Sequence, residues 1–484
     1  MTDLLKVGRT CWRVETADRF SVIIDAEQYF LAARDAMLQA RKSIMLVGWD
    51  FDARILLARS DDKERAPLKL GDFVLWLVKH RPNLEIRLLQ WNSGTIRNLA
   101  RGANAWHFLR WKLHPRITAR MDSVHPPIAA HHQKLLVVDD SIAFCGGIDM
   151  TTHRWDTRAH ADVEPGRVSP WGAQLPPWHD LSSIFDGAAA RAIGDLCRLR
   201  WTRACGEILP PVEAAAAQWP HNVPPLAGPV QIGIARTSPE MPGHEPLREI
   251  EALHVAMIQQ AQTLIYAENP YFASRKVAQA LARRLEEPNS PEVVIVNPKH
   301  SSGWLEGLAM DTARARLVAA LAPHDRHGRL GLFYPVTEGE KPIYVHGKLM
   351  IVDDRVLRIG SANFNNRSMR LDTECDVVLD ADQDDSGALS RTVRDLRNNL
   401  LAEHLGTTQE RVAETHAEHG SMLAALCSLQ GRGRSLVRYE IPDLSALQVW
   451  LADNEILDPE GPEEFFEPLA KRGLFRGRLR KPAP

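Results

Sequence analysis

The sequence HGKLMIVD at residues 346–353 combines residues suited to phosphate chemistry with a run suited to a buried strand. Leu349 to Val352 are all apolar, which is typical of a strand that is covered on both faces. Residues two apart on a strand share a face, so the pattern predicts that His346 and Lys348 project together. An imidazole beside an ammonium group can bind a phosphate and exchange protons with it.

The same pattern occurs earlier in the chain. HQKLLVVD at residues 132–139 is again H-x-K-x4-D, and a turn, an apolar strand and small residues again follow it. The small residues are Gly146 and Gly147 after the first copy, and Gly360 and Ser361 after the second. A single copy is weak evidence for a functional site, because His, Lys and Asp are common residues. Two copies on the same strand-turn-strand scaffold indicate a duplicated unit.

Helices and strands repeat together with the motif. An amphipathic helix at 27–41 leads into a strand at 43–48, and a helix at 246–261 leads into a strand at 263–267. Further strands at 84–91 and 293–297, and helices at 70–79 and 277–285, continue the correspondence. This alternation predicts an α/β fold of two similar repeats, each a mixed sheet flanked by helices, packed as a pseudo-two-fold pair.

A Pro- and Ala-rich stretch at 207–228 predicts a linker between the repeats. The predicted organisation is a first repeat at 1–206, this linker, a second repeat at 229–410, and a C-terminal helical extension with a basic tail at 411–484. From Phe465 onward the tail mixes apolar and basic residues. That composition suits contact with an anionic membrane surface, and it suits a disordered terminus equally well.

Composition narrows the class of protein. The chain has 484 residues and a formal net charge of −2, with 59 basic and 61 acidic residues, so no basic footprint for nucleic acid is visible. Its six cysteines have no C-x-x-C spacing, which favours a reducing compartment. No secretory leader and no membrane-spanning run are apparent. The expected location is the cytoplasm, with peripheral binding to the inner face of the membrane left open.

The duplicated H-x-K-x4-D pattern resembles the phospholipase D superfamily over about residues 43–406. Further matches point to the phospholipase D branch, and they are Gly146-Gly147-Ile148-Asp149, Arg154-Trp155-Asp156, Pro177-Trp178-His179-Asp180, Glu268-Asn269-Pro270-Tyr271-Phe272, Asn365-Asn366-Arg367-Ser368 and Glu403-His404-Leu405-Gly406. The resemblance implies that the two repeats face each other and build one active site between them from both motifs.

Phosphodiester exchange needs a neutral imidazole to attack phosphorus and a protonated imidazole to supply the leaving alkoxide with a proton. Attack gives a covalent phosphohistidine, which divides one displacement into two. The resemblance favours His132 as the nucleophile and His346 as the acid. Lys134 and Lys348 are expected to stabilise charge on the phosphate.

The remaining site residues follow from the motifs and the resemblance. Ser361 and Asn363 are expected to donate hydrogen bonds to the phosphate. The resemblance places an orienting carboxylate in each repeat, Glu374 for the second-repeat histidine and Asp180 for the first. Asp149 takes the place of Asn363 in the first repeat and cannot donate when ionised, which suggests a structural role.

Asp139 and Asp353 belong to the catalytic set as members of the motifs. Turn formation or a buried ion pair is the favoured interpretation of both. Three tryptophans, Trp155, Trp178 and Trp304, are expected in loops near the site. The scheme requires no metal and no cofactor, and no carboxylate–histidine cluster that demands a metal is evident in the sequence.

The resemblance implies a phospholipase D that releases head groups of the phosphatidylcholine or phosphatidylethanolamine type, forms phosphatidic acid, and passes the phosphatidyl group to alcohols. The alternatives are a cardiolipin-synthase-like phosphatidyltransferase, a nuclease and a non-catalytic membrane-binding module. Intact His and Lys in both motifs argue against the module, and the charge balance argues against the nuclease. The expected partners are a phospholipid at a membrane surface and a water or alcohol acceptor, with no nucleic acid and no obligate protein partner.

Overall fold

The computed structural model of the chain describes residues 4–59, 66–92, 102–126, 128–213, 218–241, 243–301 and 305–442. The predicted basic tail and Trp304 lie outside these residues.

The first repeat contains a seven-stranded mixed sheet with the order β2-β9-β7-β6-β3-β4-β5. Its strands are β2 (Phe20–Ile24), β3 (Ser43–Gly48), β4 (Glu85–Trp91), β5 (Ile117–Asp122), β6 (Leu135–Val138), β7 (Ile142–Gly146) and β9 (Leu181–Asp186). Strands β3, β4 and β5 are parallel, and the other neighbouring pairs are antiparallel.

The second repeat contains a sheet with the same central order. Its strands are β10 (Val230–Ser238), β11 (Leu247–Arg248), β12 (Leu264–Glu268), β13 (Glu292–Val296), β14 (Leu330–Val336), β16 (Leu349–Val352), β17 (Val356–Gly360) and β18 (Glu374–Asp380). The sequence β10-β18-β17-β16-β12-β13-β14 corresponds strand for strand to the first sheet. The predicted pair of mixed α/β repeats is therefore confirmed.

Most helices cover the outer faces of the sheets, and the four helices within residues 187–205 and 388–429 pack into the core shared between them. The helices are α1 (Ala26–Leu38), α2 (Leu70–His80), α3 (Gly102–Lys112), α4 (Gly187–Cys205), α5 (Glu249–Gln260), α6 (Arg275–Leu285), α7 (Leu305–Leu321), α8 (Asn366–Arg370), α9 (Ala388–Leu405), α10 (Gln409–His419) and α11 (Met422–Leu429). The helices that close the repeats, α4 and α9, both end at a glycine with positive φ, Gly206 at 72° and Gly406 at 61°. None of the described helices is both long enough and apolar enough to cross a membrane.

Two strands outside the duplicated plan join the second sheet. β1 (Arg13–Ala17) pairs with β10, and β19 (Ser435–Arg438) pairs with β14. Both cover an edge whose unpaired backbone groups would otherwise be exposed. The chain segments predicted as part of the first repeat and as a C-terminal extension thus both contribute to the second sheet.

The two sheets face each other across a shared core. Leu135 and Val137 of β6 and Leu349 and Ile351 of β16 all belong to this core, and each is at most 3% exposed. The alternate residues of the same strands belong to separate cores beneath the helices. The motif strands are therefore buried on both faces, as their unbroken apolar runs predict. A two-stranded ribbon of β8 (Trp178–His179) and β15 (Tyr344–Val345) also links the repeats.

Candidate active site

The two motif histidines line a single cavity of about 550 Å³. His132 and His346 each lie just before a motif strand, β6 and β16, so they are at strand ends and not within the strands. Backbone hydrogen bonds tie each histidine to the opposite repeat: the His132 N–H donates to the Thr373 carbonyl at 2.9 Å, and the His346 N–H donates to the His179 carbonyl at 2.7 Å. One cavity thus contains the histidines of both motifs.

The orienting carboxylates cross between the repeats. His132 Nδ1 is 3.0 Å from both carboxylate oxygens of Glu374, and His346 Nδ1 is 2.7 Å from Oδ2 of Asp180. The predicted residues are present, but the pairing within each repeat is wrong. The reason is the face-to-face packing, because each histidine is docked on the segment of the other repeat that carries the carboxylate.

Ser361 is part of the support for Glu374. Its hydroxyl donates to Glu374 Oε2 at 2.5 Å, and the Ser368 hydroxyl donates to Oε1 at 2.6 Å. Ser361 is fully buried and does not line the cavity, so its predicted contact with phosphate is wrong. The sequence points to a small polar residue here, but only the fold shows that its hydroxyl points at the carboxylate.

The two lysines have different partners. Lys134 Nζ donates to the His132 carbonyl at 2.9 Å and forms an ion pair with Asp149 Oδ2 at 3.2 Å. Lys348 Nζ donates to the His346 carbonyl at 2.5 Å and lies 3.1 Å from His346 Nδ1. Asp149 therefore has the structural role expected of it, as the counter-ion of a buried lysine.

Aromatic rings and an amide complete the cavity wall. The Trp49 ring centroid lies 5.3 Å from the His132 ring, and the Trp178 centroid lies 5.1 Å from the His346 ring. Asn363 lines the cavity, and its carbonyl oxygen accepts no hydrogen bond from the described residues, so its phosphate contact stays a prediction. Trp49 was not expected from the sequence, although it directly follows the first strand of the parallel set.

The loop at 151–177 separates this cavity from a second one of about 700 Å³. Thr151, Thr152 and His153 line both cavities, and Trp155 lines the second. Trp178 lines the cavity of the histidines but lies in strand β8 and not in a loop as predicted, whereas Trp155 lies in the loop and lines only the second cavity. The adjoining space gives the site room for a ligand larger than a phosphate group.

Gly147 of the Gly-Gly pair is required by close packing at the site. A Cβ atom at Gly147 would lie 2.3 Å from Asp180 Oδ1 and 3.3 Å from the His346 carbonyl oxygen. Any side chain would therefore displace the carboxylate that holds His346. This gives the Gly-Gly-Ile-Asp match a physical reason, because the backbone passes directly beneath the orienting carboxylate.

The motif aspartates do not line the cavity that contains the two histidines. Asp139 accepts backbone N–H bonds from Arg41, Lys42 and Ser43 at 2.7–2.8 Å. Asp353 accepts the corresponding bonds, from the N–H groups of Gln262, Thr263 and Leu264, at 2.7–3.0 Å. Their place in the catalytic set is wrong, and the favoured structural interpretation holds. Both also begin Asp-Asp hairpins in which every φ is positive, from 48° to 55°.

Burial and neighbouring charges give the two orienting carboxylates different pKa values. Burial opposes ionisation of Asp180, but His346 and Lys348 hold the pKa of Asp180 below its ordinary value. Burial raises the pKa of Glu374 to about 7, although the hydroxyls of Ser361 and Ser368 oppose the rise. Asp180 is thus ionised at neutral pH, whereas Glu374 is poised between its two states.

The imidazoles and one lysine are also perturbed. Burial and the neighbouring ammonium groups of Lys134 and Lys348 lower the pKa of His132 well below 6.5. Burial and Lys348 do the same to the pKa of His346, although Asp180 opposes the shift. Burial lowers the pKa of Lys348 to about 7. A neutral imidazole, as nucleophilic attack requires, is therefore favoured in the site.

Two clusters of histidine and carboxylate side chains lie close to the site. One contains Asp25, His160, His179 and Glu403, and the other contains His179, Glu268 and His404. All are buried, and their spacing could hold a metal ion, an arrangement that is not evident in the sequence. Sequence reasoning missed it because the residues come from segments far apart in the chain. His179, Glu268, Glu403 and His404 do occur in the motif matches, but without an assigned role.

Sequence and structure comparisons agree with this geometry. A duplicated mixed α/β fold, with one H-x-K-x4-D motif per repeat and both motif histidines at a single cavity, defines the class of protein. The Phospholipase D family model matches residues 36–218, and the model described as Cardiolipin synthase, PLD-like domain matches residues 254–395. The chain belongs to the phospholipase D superfamily.

Curated relatives are similar over most of this chain. Phospholipase D A of Dictyostelium discoideum is 26% identical over 477 residues, which cover 81% of this chain and 36% of that protein. Phospholipase D alpha 4 of Arabidopsis thaliana is 24% identical, covering 77% of this chain and 62% of that protein. The chain thus spans less than two thirds of either relative. Phosphatidylserine synthase of Haemophilus influenzae has the same fold, with a TM-score of 0.53, 13% identity, and coverage of 80% of this chain and 88% of that chain.

Proposed function

We propose that this protein is a phospholipase D that hydrolyses phospholipid head groups to phosphatidic acid and transfers the phosphatidyl group to alcohols. The observation that carries the proposal is the paired arrangement of His132 and His346 in one cavity, each with a carboxylate at Nδ1. Nδ1 is occupied in both rings, so Nε2 is the atom left to react. Two such imidazoles can divide attack and proton transfer between them.

The reaction proceeds in two displacements. His132 Nε2 attacks phosphorus, the bond from phosphorus to the head-group oxygen breaks, and His346 protonates that oxygen. The product is a phosphatidyl-histidine and a neutral His346. His346 then takes a proton from water or an alcohol, whose oxygen attacks phosphorus while the bond to His132 breaks. The final product is phosphatidic acid or a phosphatidyl-alcohol, and the original protonation states are restored.

The division of roles rests on the two carboxylates. An ionised Asp180 stabilises an imidazolium at His346, as the acid requires. Glu374, with a pKa near 7, provides a weaker counter-charge for His132, which suits a neutral nucleophile. Lys134 and Lys348 each donate to the backbone carbonyl of their motif histidine and supply positive charge for the phosphate oxygens. These contacts favour His132 as nucleophile, the order that the resemblance implies.

The substrate class fits the surroundings of the site. Trp49, Trp91, Trp178 and Tyr271 line the cavity, and the adjoining cavity beyond the loop at 151–177 extends it. Aromatic side chains suit the boundary between an apolar chain and a polar head group. We expect the protein to work at the membrane surface without crossing it, from the cytoplasmic side. The basic tail is a further candidate for that contact.

A cardiolipin-synthase-like phosphatidyltransferase is the second candidate. It is favoured by the description of the model that matches the second repeat, residues 254–395. The chemistry of the two candidates is the same up to the phosphatidyl-histidine. They differ in the acceptor, which is water or a simple alcohol for the first and a glycerophospholipid for the second.

The identity of the acceptor therefore distinguishes the two candidates. The protein is incubated with mixed phospholipids at increasing ethanol concentration, and head groups and lipid products are measured by mass spectrometry. We expect near-constant head-group release while the lipid product shifts from phosphatidic acid to phosphatidylethanol. His132→Ala serves as the inactive control. Phosphatidic acid alone at every ethanol concentration would contradict covalent transfer, a preference for phosphatidylglycerol as acceptor would favour the second candidate, and activity on DNA alone would exclude both.

A further inference from the structure

The cluster of Asp25, His160, His179 and Glu403 brings together four parts of the molecule. Asp25 lies between β2 and α1, His160 in the loop at 151–177, His179 in β8, and Glu403 in α9 of the second repeat. Three of the four residues are 0% exposed, and Glu403 is 8% exposed. The proposed reaction uses none of these side chains, so their concentration in the interior needs another explanation.

The donor atoms are spaced like the ligands of a small cation. His160 Nε2 is 3.3 Å from Asp25 Oδ2 and 3.1 Å from Glu403 Oε1. His179 Nδ1 is 3.1 Å from Asp25 Oδ1 and 3.1 Å from Glu403 Oε1. In a tetrahedral zinc site with ligands at ~2.0–2.1 Å, neighbouring ligand atoms are ~3.3 Å apart. With one oxygen of Asp25 as the ligand, three of the four separations are edges of one such tetrahedron, and all four are close to this spacing.

The far side of each imidazole is already held by another carboxylate. His160 Nδ1 is 2.9 Å from Asp156 Oδ2, and His179 Nε2 is 2.8 Å from Glu268 Oε2. Asp156 is itself bonded by the Arg167 guanidinium. Histidines that bind metals usually donate their other ring nitrogen in this way, which fixes the tautomer and turns the free nitrogen towards the metal.

Two atoms that face the cluster lack a hydrogen bond. Asp25 Oδ2 and His179 Nδ1 are buried and have no hydrogen-bond partner among the described residues, although both lie within 3.3 Å of an oppositely charged or chargeable group. Their contacts are close in distance but poor in hydrogen-bond geometry. Buried polar atoms without a partner are costly, and a cation at the centre would satisfy both.

We propose that Asp25, His160, His179 and Glu403 bind a zinc ion as a closed structural site. Two imidazoles and two carboxylates make a four-coordinate set of the kind that zinc accepts, and a divalent cation neutralises the two ligand carboxylates. None of the four residues lines either of the two cavities described above, so no ligand position is open to substrate. Zinc at this place stabilises the fold and takes no part in the reaction.

The proposed zinc site holds His346 in position. Asp25 and Asp180 are joined by two hydrogen bonds, from the Asp25 N–H to the Asp180 carbonyl at 2.8 Å and from the Asp180 N–H to Asp25 Oδ1 at 3.1 Å. The carbonyl of the ligand His179 accepts the His346 N–H. Zinc therefore fixes the segment between β8 and β9 that carries Asp180, and through Glu403 it connects that segment to the opposite repeat.

The test measures metal in the full-length protein, purified without chelators and without a metal-affinity tag after growth with added zinc. We expect about one zinc per chain by mass spectrometry of the metal. X-ray absorption should give a shell of nitrogen and oxygen only, at ~2.0–2.1 Å. His160→Gln should reduce the zinc content at least tenfold and lower the melting temperature. His254→Gln is the matched control, because His254 is also fully buried but belongs to neither cluster.

Three results would overturn the proposal. They are less than about a tenth of an equivalent of zinc in the wild-type protein, sulfur in the zinc shell, and full zinc content in soluble His160→Gln. A zinc content this low would mean that protons shared between the histidines and carboxylates, and not a metal ion, hold the cluster together. The absorption spectrum of the wild-type protein decides the matter if the variant does not fold.

Discussion

In the first repeat Lys134 forms an ion pair with Asp149, whereas the matching position in the second repeat is Asn363. Lys348 forms no ion pair with the residues that the structure describes, and burial lowers its pKa to about 7. The carboxylates differ as well. Glu374 receives two hydroxyl hydrogen bonds and has a pKa near 7, whereas Asp180 is held in its ionised state.

A duplicated backbone does not give a symmetric site. The strand order and the hairpin turns are nearly identical in the two repeats, but the groups around each imidazole are not. Two displacement steps need two histidines in different protonation states, and the surroundings of His132 and His346 differ in the charge of the carboxylate at Nδ1. The following predictions test how far the asymmetry extends.

Loss of either histidine is expected to have the largest effect. His132→Ala and His346→Ala should each reduce turnover by about 10³-fold or more, because neither repeat can supply both roles alone. Head-group release measures the effect, and His80→Ala, a change at a distant exposed histidine of α2, is the control. Retention of more than about a tenth of wild-type activity by either variant would mean that the halves do not share one site.

Replacement of each orienting carboxylate by its amide should have a different effect in the two halves of the site. Asp180→Asn removes the charge that stabilises an imidazolium at His346, and loss of such a carboxylate costs up to ~10⁴-fold in turnover. Glu374→Gln should cost less, about 10- to 100-fold, because Glu374 with a pKa near 7 is already partly protonated. Turnover of both variants at the pH optimum is the measurement. The reverse order of effects would assign the acid role to His132.

The pH dependence should reflect the lowered pKa of both imidazoles. Activity needs one neutral and one protonated histidine, so kcat/KM should be bell-shaped. Burial and the lysines lower the pKa of His132 and of His346 below 6.5, so the singly protonated pair, and with it the maximum, should lie on the acidic side of pH 6.5. The two limbs belong to the coupled pair. A rate that rises to a plateau at high pH would argue against a histidine acid.

The motif aspartates should matter for stability and little for chemistry. Asp139→Ala removes three backbone hydrogen bonds to a buried carboxylate and should cost about 3 kcal/mol of unfolding free energy, with turnover within about threefold of wild type. Asp353→Ala should cost less, because those bonds are partly exposed. Denaturant unfolding is the measurement. Asp139→Asn is the control, since Asn tolerates the positive φ of this turn. A large loss of turnover in folded Asp139→Ala would restore a catalytic role.

The sequence alone determined the duplicated α/β plan and the central residues of the site. Unbroken apolar runs such as 349–352 identify strands buried on both faces, and two H-x-K-x4-D motifs on the same scaffold identify His132 and His346. These features are local, because they depend on the order of residues along one strand and one turn. The paired Asp-Asp turns are likewise visible in the sequence, since their positive φ angles suit Asp.

The tertiary fold sets which carboxylate contacts which histidine, where the Ser361 hydroxyl points, and that Lys134 has a counter-ion. It also decided that Asp25, His160, His179 and Glu403 meet, from segments separated by up to several hundred residues. The physical reason is the same in each case. The packing of one repeat against the other brings these groups together, and sequence periodicity within a repeat carries no information about contacts across that interface.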